Sequence, residues 1–417
     1  MILAGVSISL LLDENGIIKK SKDARREYGQ AKANEQEDLS NLSDMIEEAT
    51  AEPTPKVDVN TKAGDNSTIN GKKGNSNNPT IPKNYIPIDT ATSTWGNGSS
   101  APSQDSVDHG LVIKDEQNNE WVWVPVPDVT VMCDTLNNTE YTLCGTTGET
   151  AVKTKLYSKT ITIGTDSNKR IMSRTTPGTS TSDSFREPDL VTSYDVTDTY
   201  YKTILGFESK EKMAEAFVAD YNEMIASIGQ HGGFYIGRYE LSSEGVQKDK
   251  VTLTGTNWYN LYKKCTELQA SDKVKTQMIW GCQWDVTMNW LISSGAKTSN
   301  EVNTDSSSWG NYKDTLVTAN DRTTVLKASG DEQKLNTGVT TFTMANNIYD
   351  LAGNCWEWTQ EAYNTSKRAV RAGYCNLNGS DGPASSRGYG GDPGYDSDSY
   401  GRFSSHFNNK VTLDSRA

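Results

Sequence analysis

The run Asn347-Ile348-Tyr349-Asp350-Leu351-Ala352-Gly353-Asn354-Cys355-Trp356-Glu357-Trp358 places two carboxylates and a thiol within one short stretch. Asp350 and Glu357 set two carboxylates around an Asp-x-x-Gly turn, a pair that a cation or an arginine should neutralise. Two carboxylates brought together without a cation would repel, unless Arg371 pairs with Glu357 and Asp350 merely caps the turn. Redox and nucleophilic chemistry lack their parts. The cysteines (Cys133, Cys144, Cys265, Cys282, Cys355, Cys375) form no CxxC pair, and the histidines (His109, His231, His406) are scattered. Neither a zinc site nor a multi-histidine centre is expected. Only Cys133 and Cys144 are spaced for a local bridge; separate reduced thiols are the simpler reading.

The elements that must hold these residues follow from pattern. At 417 residues the chain could hold two or three average domains. Hydrophobic content of 34% and mean hydropathy of −0.66 imply much polar loop or linker. A net charge of −13 argues against a nucleic-acid partner, which needs a basic surface. Residues 1–48 read as an N-terminal helix with an apolar start too short to span a bilayer. Residues 49–107, rich in Pro, Asn, Ser, Thr and Gly, read as a flexible linker. Packing signals begin near residue 108. Leu111-Val112-Ile113 and Trp121-Val122-Trp123-Val124 predict a hairpin, with a further strand over 232–240. Residues 129–200 read as inserted hairpins or loops. Helices are predicted over 209–228, capped by Ser209 and stopped by Gly229, from about Thr256 through Leu268, and after Met278, ending by Gly295. Alternation puts Trp356 and Trp358 on one side of a strand and Glu357 on the other.

The Asn347–Trp358 run, Arg371-Ala372-Gly373 and the strands at 120–126 and 232–240 resemble the formylglycine-generating enzyme (sulfatase-modifying factor) family. The resemblance implies an α+β, C-type-lectin-like domain over 108–417, with short strands and two main helices. It implies a structural calcium site from Asp350, the carbonyls of Gly353 and Cys355, and Glu357. The family's copper-binding cysteine pair would fall on Leu377 and Gly382, so no copper and no enzyme activity are expected. Relatives close with a Gly-Phe-Arg strand and an apolar tail; here Gly401-Arg402-Phe403 is followed by polar residues, leaving the final strand open.

Residues 374–400 separate fixed-looking elements (Pro383-Ala384-Ser385, Arg387, Pro393) by Gly, Ser, Asp, Tyr, Asn and Cys. Adenine changes in an asparagine codon reach all six. The tract resembles the variable region of diversity-generating-retroelement target proteins. That resemblance implies non-covalent recognition through Tyr374, Cys375, Asn376, Asn378, Asp381, Ser386, Tyr389, Asp392 and Tyr395, a residue set suited to paratopes. A solvated glycine-rich loop is the plainer alternative. The N-terminal segment is similar to the leading helix of type IV pilin-like proteins, against an ordinary amphipathic helix. Together these imply a cell-surface protein tethered to membrane or pilus, with a protein or glycan partner on another cell or phage. A sulfatase-modifying-type oxidoreductase and a minor pilin-like structural subunit are the alternatives.

Overall fold

A computed structural model describes residues 54–96, 100–132, 185–268, 272–389, 391–394, 407–408 and 411–415, with two short paired strands, Glu140–Thr142 and Lys153–Lys155. The N-terminal helix expected over 1–48, Cys133, Cys144, Tyr395 and His406 lie outside the described residues. In chain order the elements that matter are β1 (Ile86–Ile88), β2 (Val112–Lys114), β3 (Glu120–Pro125), α1 (Lys210–His231) and β4 (Gly233–Gly237). They are followed by α2 (Trp258–Thr266), β5 (Val274–Met278), α3 (Gly281–Ser293), β6 (Val317–Thr318) and β7 (Val325–Lys327). The last are β8 (Trp356–Ala362), β9 (Arg368–Arg371), β10 (Arg387–Tyr389), β11 (Phe407–Asn408) and β12 (Val411–Ser415).

The architecture is α+β with several small, mainly antiparallel sheets. The main sheet runs β1-β2-β3-β4-β12-β5, antiparallel throughout. A second sheet, β10-β9-β8-β11, carries the Trp356–Trp358 strand and residues 387–389 of the tract. The predicted hairpin is β2–β3, whose β-branched and aromatic residues suit a pleated, two-sided surface. Trp121, Trp123, Val122 and Val124 are all buried, so both faces are covered.

Helix α1 packs Met213, Phe217, Tyr221, Met224, Ile225 and Ile228 inward. Ser209 caps it by accepting the Lys212 amide at 3.2 Å. The helix does not stop at Gly229, which stays helical; a Cβ there would meet Val129 at 3.6 Å. Gly232 ends it instead, at φ +74°, where a Cβ would strike the Ser76 amide at 2.4 Å. Helix α2 starts on an Asn257 cap and buries Trp258, Leu261, Tyr262 and Cys265.

A further expectation is corrected. Residues 54–96 and 100–107 do not form a linker: Val57, Ile69, Ile81, Tyr85, Trp95 and Val107 sit in the same core as Trp121 and Trp258. Few apolar residues suffice because each is buried singly, and side chains of the domain close the polar turns between them. Trp123 Nε1 donates to Ser76 O at 2.8 Å, Tyr235 Oη to Thr80 O at 2.9 Å, and Trp95 Nε1 to Val112 O at 2.8 Å. A final strand also exists. Val411-Thr412-Leu413 fills the gap between β4 and β5, with Thr412 and Leu413 fully buried.

Candidate functional site

Strand β8 places Trp358 in the core and leaves Trp356 half-buried, while Glu357 between them is fully buried opposite Arg371. Just upstream, Asp350 adopts φ +59° and accepts from Thr337 Oγ1 at 2.8 Å and the Gly338 amide at 3.0 Å through one oxygen. Gly353, at φ +73°, lies so close to Asn311 that a Cβ would approach its carbonyl oxygen to 2.4 Å. Asn354 ties the turn down, donating to Glu240 Oε2 at 2.5 Å and accepting from Asn311 Nδ2 and the Leu335 amide at 2.9 and 3.0 Å. Asp350 thus makes the turn-capping bonds that compete with cation ligation. Among the described residues no group of three or more His, Cys, Asp or Glu side chains is placed to hold a metal ion.

The two cysteines of this region are buried and free. Burial pushes the Cys355 thiol well above its usual range, with Glu240 adding to the effect. Cys375, whose Sγ lies 3.3 Å from Glu332 O, is pushed up to about 11, again mainly by burial. Thiols held protonated at neutral pH are poor nucleophiles. Leu377 is half-buried, and Gly382 packs on Gly373, where a Cβ would sit 2.5 Å from Gly382 O.

The tract leaves β9 at Arg371 and is fastened repeatedly. Lys313 N donates to Leu377 O at 2.8 Å, Tyr312 Oη to Gly382 O at 2.7 Å, and Ser306 N to Gly379 O at 3.2 Å. Further on, Trp284 Nε1 donates to Ala384 O at 3.0 Å, and Trp258 N to Pro393 O at 3.0 Å. Pro383, Ala384, Arg387 and Pro393 are buried, whereas Asn378, Ser380 and Asp381 are exposed and Tyr374, Asn376 and Asp392 half-buried. Asn378, Ser380 and Asp381 therefore face outward, and Pro383, Ala384, Arg387 and Pro393 face the scaffold.

Not every expected contact residue is presented. Cys375 and Ser386 are buried, because the backbone at both points turns inward: Cys375 N donates to Asn354 O at 3.2 Å and Ser386 N to Pro383 O at 2.7 Å. Tyr389 lies on β10 opposite Ala369, and its side chain, like Tyr395, is outside the described residues. Tyr374 leans on Trp356 with ring centroids 5.8 Å apart and a tilt of 34°.

Two neighbours were not foreseen. Glu332 takes Asn376 Nδ2 at 2.7 Å through one oxygen and Lys313 Nζ at 2.7 Å through the other. Behind them, the buried ammonium of Lys327 donates to the carbonyls of Tyr312, Thr315, Ala328 and Asp331 at 2.6, 2.8, 3.2 and 3.2 Å. No local pattern marks either residue, since both lie some 40 to 60 positions from the tract segments they support.

No protein-family model matches the chain, and no curated protein does. Among solved structures, "Treponema denticola variable protein 1" is similar at 12% identity with a TM-score of 0.28, over 44% of this chain and 85% of that one. With likeness at that level, the functional reading rests on the geometry of the tract itself.

Proposed function

We propose that this chain is a surface-displayed binding protein that recognises a protein or glycan partner on another cell or phage through a diversified tract on a C-type-lectin-like scaffold, without catalysis. One observation carries the reading. Within residues 374–394 the side chains of Asn376, Asn378, Ser380 and Asp381 reach solvent, while Pro383, Ala384, Arg387 and Pro393 are buried. Solvent-facing positions can change identity at little cost to stability, and buried anchors cannot. Asparagine, serine and tyrosine at such positions supply adaptable hydrogen bonds and amphipathic contact area. The protonated, buried thiols of Cys355 and Cys375 favour binding over oxidase chemistry. Tethering to membrane or pilus through residues 1–48, and a structural calcium near Asp350, belong to the same proposal and rest on sequence resemblance alone.

Sequencing this gene and its flanking DNA across a population tests the idea. We expect a near-copy of the tract codons beside a reverse transcriptase, with substitutions concentrated at residues 374, 376, 378, 380 and 381. Substitutions spread equally over Ala384 and Arg387, or none at all, would overturn it. Copper-dependent oxidation of a cysteine peptide by the purified chain would do the same.

A further inference from the structure

Beside the tract stands a short ribbon with an apolar outer face. In it β6 pairs with β7, Val317 opposite Lys327 and Thr318 opposite Val325, with Leu326 as the extra residue of a bulge. Val317 and Lys327 are buried, so theirs is the inner face. Thr318 and Val325 point the other way, and alternation puts Leu316 with them. Leu316 is 51% exposed and Val325 53%. Only four large hydrophobic side chains are exposed among the described residues, the other two being Val131 and Val251. A single exposed aliphatic needs no explanation, but two on one face of a ribbon form a surface.

Both ends of the ribbon hold the tract. Before β6, Lys313 N donates to Leu377 O at 2.8 Å and Asp314 Oδ1 accepts the Gly379 amide at 3.1 Å. After β7, Glu332 Oε2 accepts from Asn376 Nδ2 at 2.7 Å, and Gly330 N closes the base on Lys313 O at 2.6 Å. Leu316 stands two residues past Asp314, about 7 Å along the chain. A standard protein interface covers about 800 Å² per partner, wide enough to take in ribbon and tract together. The charges around both are mostly of one sign. Asp314, Asp321, Asp331, Glu332 and Asp381 are exposed, against Arg322 and a half-buried Lys313 whose ammonium already bonds Glu332 at 2.7 Å.

We propose that the outer face of this ribbon is a constant part of the recognition surface, and that the partner is a protein whose Lys or Arg side chains surround an aliphatic one. Leu316 and Val325 bury against that aliphatic group as the apolar centre of the contact, and the carboxylates around them meet the partner's cations. The same carboxylates repel an anionic lipid surface or an acidic glycan. The hydroxyls of a neutral glycan gain nothing from two aliphatic side chains. The ribbon supplies affinity common to every version of the tract, while the tract residues choose among partners. That division of labour rests on the tract being a recognition surface; the ribbon's own contact does not.

Panning a random peptide library displayed on phage against the full chain at low salt tests this, with a glycan array probed in parallel. Recovered peptides are expected to carry Lys or Arg beside Leu, Ile, Val or Met, and to bind about tenfold more weakly in about 0.5 M salt. Leu316→Ser and Val325→Ser made together should weaken them about tenfold or more and leave the melting temperature unchanged. Should that variant fail to fold, Val325→Lys, which sets a like charge against the partner's, should weaken them as much. Acidic or neutral peptides, peptides that bind the serine variant as well as wild type, glycan binding without peptide binding, or no binder at all would each overturn the inference. Peptides lost in the triple variant Asn376→Ala, Asn378→Ala, Asp381→Ala but kept in the serine variant sink this inference and leave the tract reading standing. Peptides with the opposite behaviour sink the tract reading alone.

Discussion

Replacing Lys327 by methionine keeps the aliphatic stem and removes the charge that gathers four carbonyls. An ammonium has three hydrogens, so the bonds to Tyr312, Thr315, Ala328 and Asp331 include at least one shared proton. Two of these carbonyls keep another partner, since Tyr312 O accepts the Thr315 amide at 3.1 Å and Ala328 O the Asp331 amide at 3.2 Å. Thr315 O and Asp331 O lose their bonds to the ammonium, at about 1–3 kcal/mol for each buried group left without a partner. Burial lowers the Lys327 pKa, so removing the ammonium also relieves part of a desolvation cost. The net expectation is a loss of about 3 kcal/mol, or a melting temperature lower by about 4 °C. Urea unfolding measures the first and a thermal scan the second. Exchange protection should fall first at residues 312–315 and 328–331, then at 377–382, which hang from Lys313 N and Tyr312 Oη. A variant within about 0.5 kcal/mol of wild type, with unchanged protection, would refute the carbonyl-cage argument.

Gly281→Ala should cost about 1–3 kcal/mol in urea unfolding, because the new Cβ would lie 2.6 Å from Glu361 Oε2 in a closed cluster. Arg368→Met removes the partner of buried Asp195, a bond to Gln360 O at 2.9 Å and a guanidinium 3.9 Å from the Trp258 ring. We expect a loss of about 3–5 kcal/mol by the same measurement, and a change below about 1 kcal/mol would contradict it. Changing Asn378, Ser380 and Asp381 together to alanine should leave stability within about 0.5 kcal/mol, whereas Ala384→Asp should prevent folding or cost several-fold more. Equal effects in the two would remove the distinction between anchors and presented positions.

Periodic segments were legible in the sequence because one pattern decides them. The β2–β3 hairpin and helices α1 and α2 bury the residues their spacing predicts. Residues 54–107 misled because composition averages over a stretch, while burial here depends on isolated residues such as Tyr85 and Trp95 meeting a distant partner. The end of α1 was misplaced because two glycines stood within reach, and only Gly232 has the left-handed conformation that stops a helix. In the tract, residue type suggested recognition, yet type alone could not tell Cys375 and Ser386, turned inward, from Asn376 and Asn378. Orientation in an irregular loop is fixed by long-range bonds such as Lys313 N to Leu377 O, and no local spacing encodes those.

Strand β12 lies inside the main sheet, hydrogen-bonded to β4 on one side and β5 on the other. During synthesis both neighbours must wait with open edges until residue 415 has left the ribosome, however early their own segments emerged. The tract is made before that closure, strung between two segments whose places are already specified. A new residue at Asn378, Ser380 or Asp381 alters what the finished surface displays without touching the strand that completes the core.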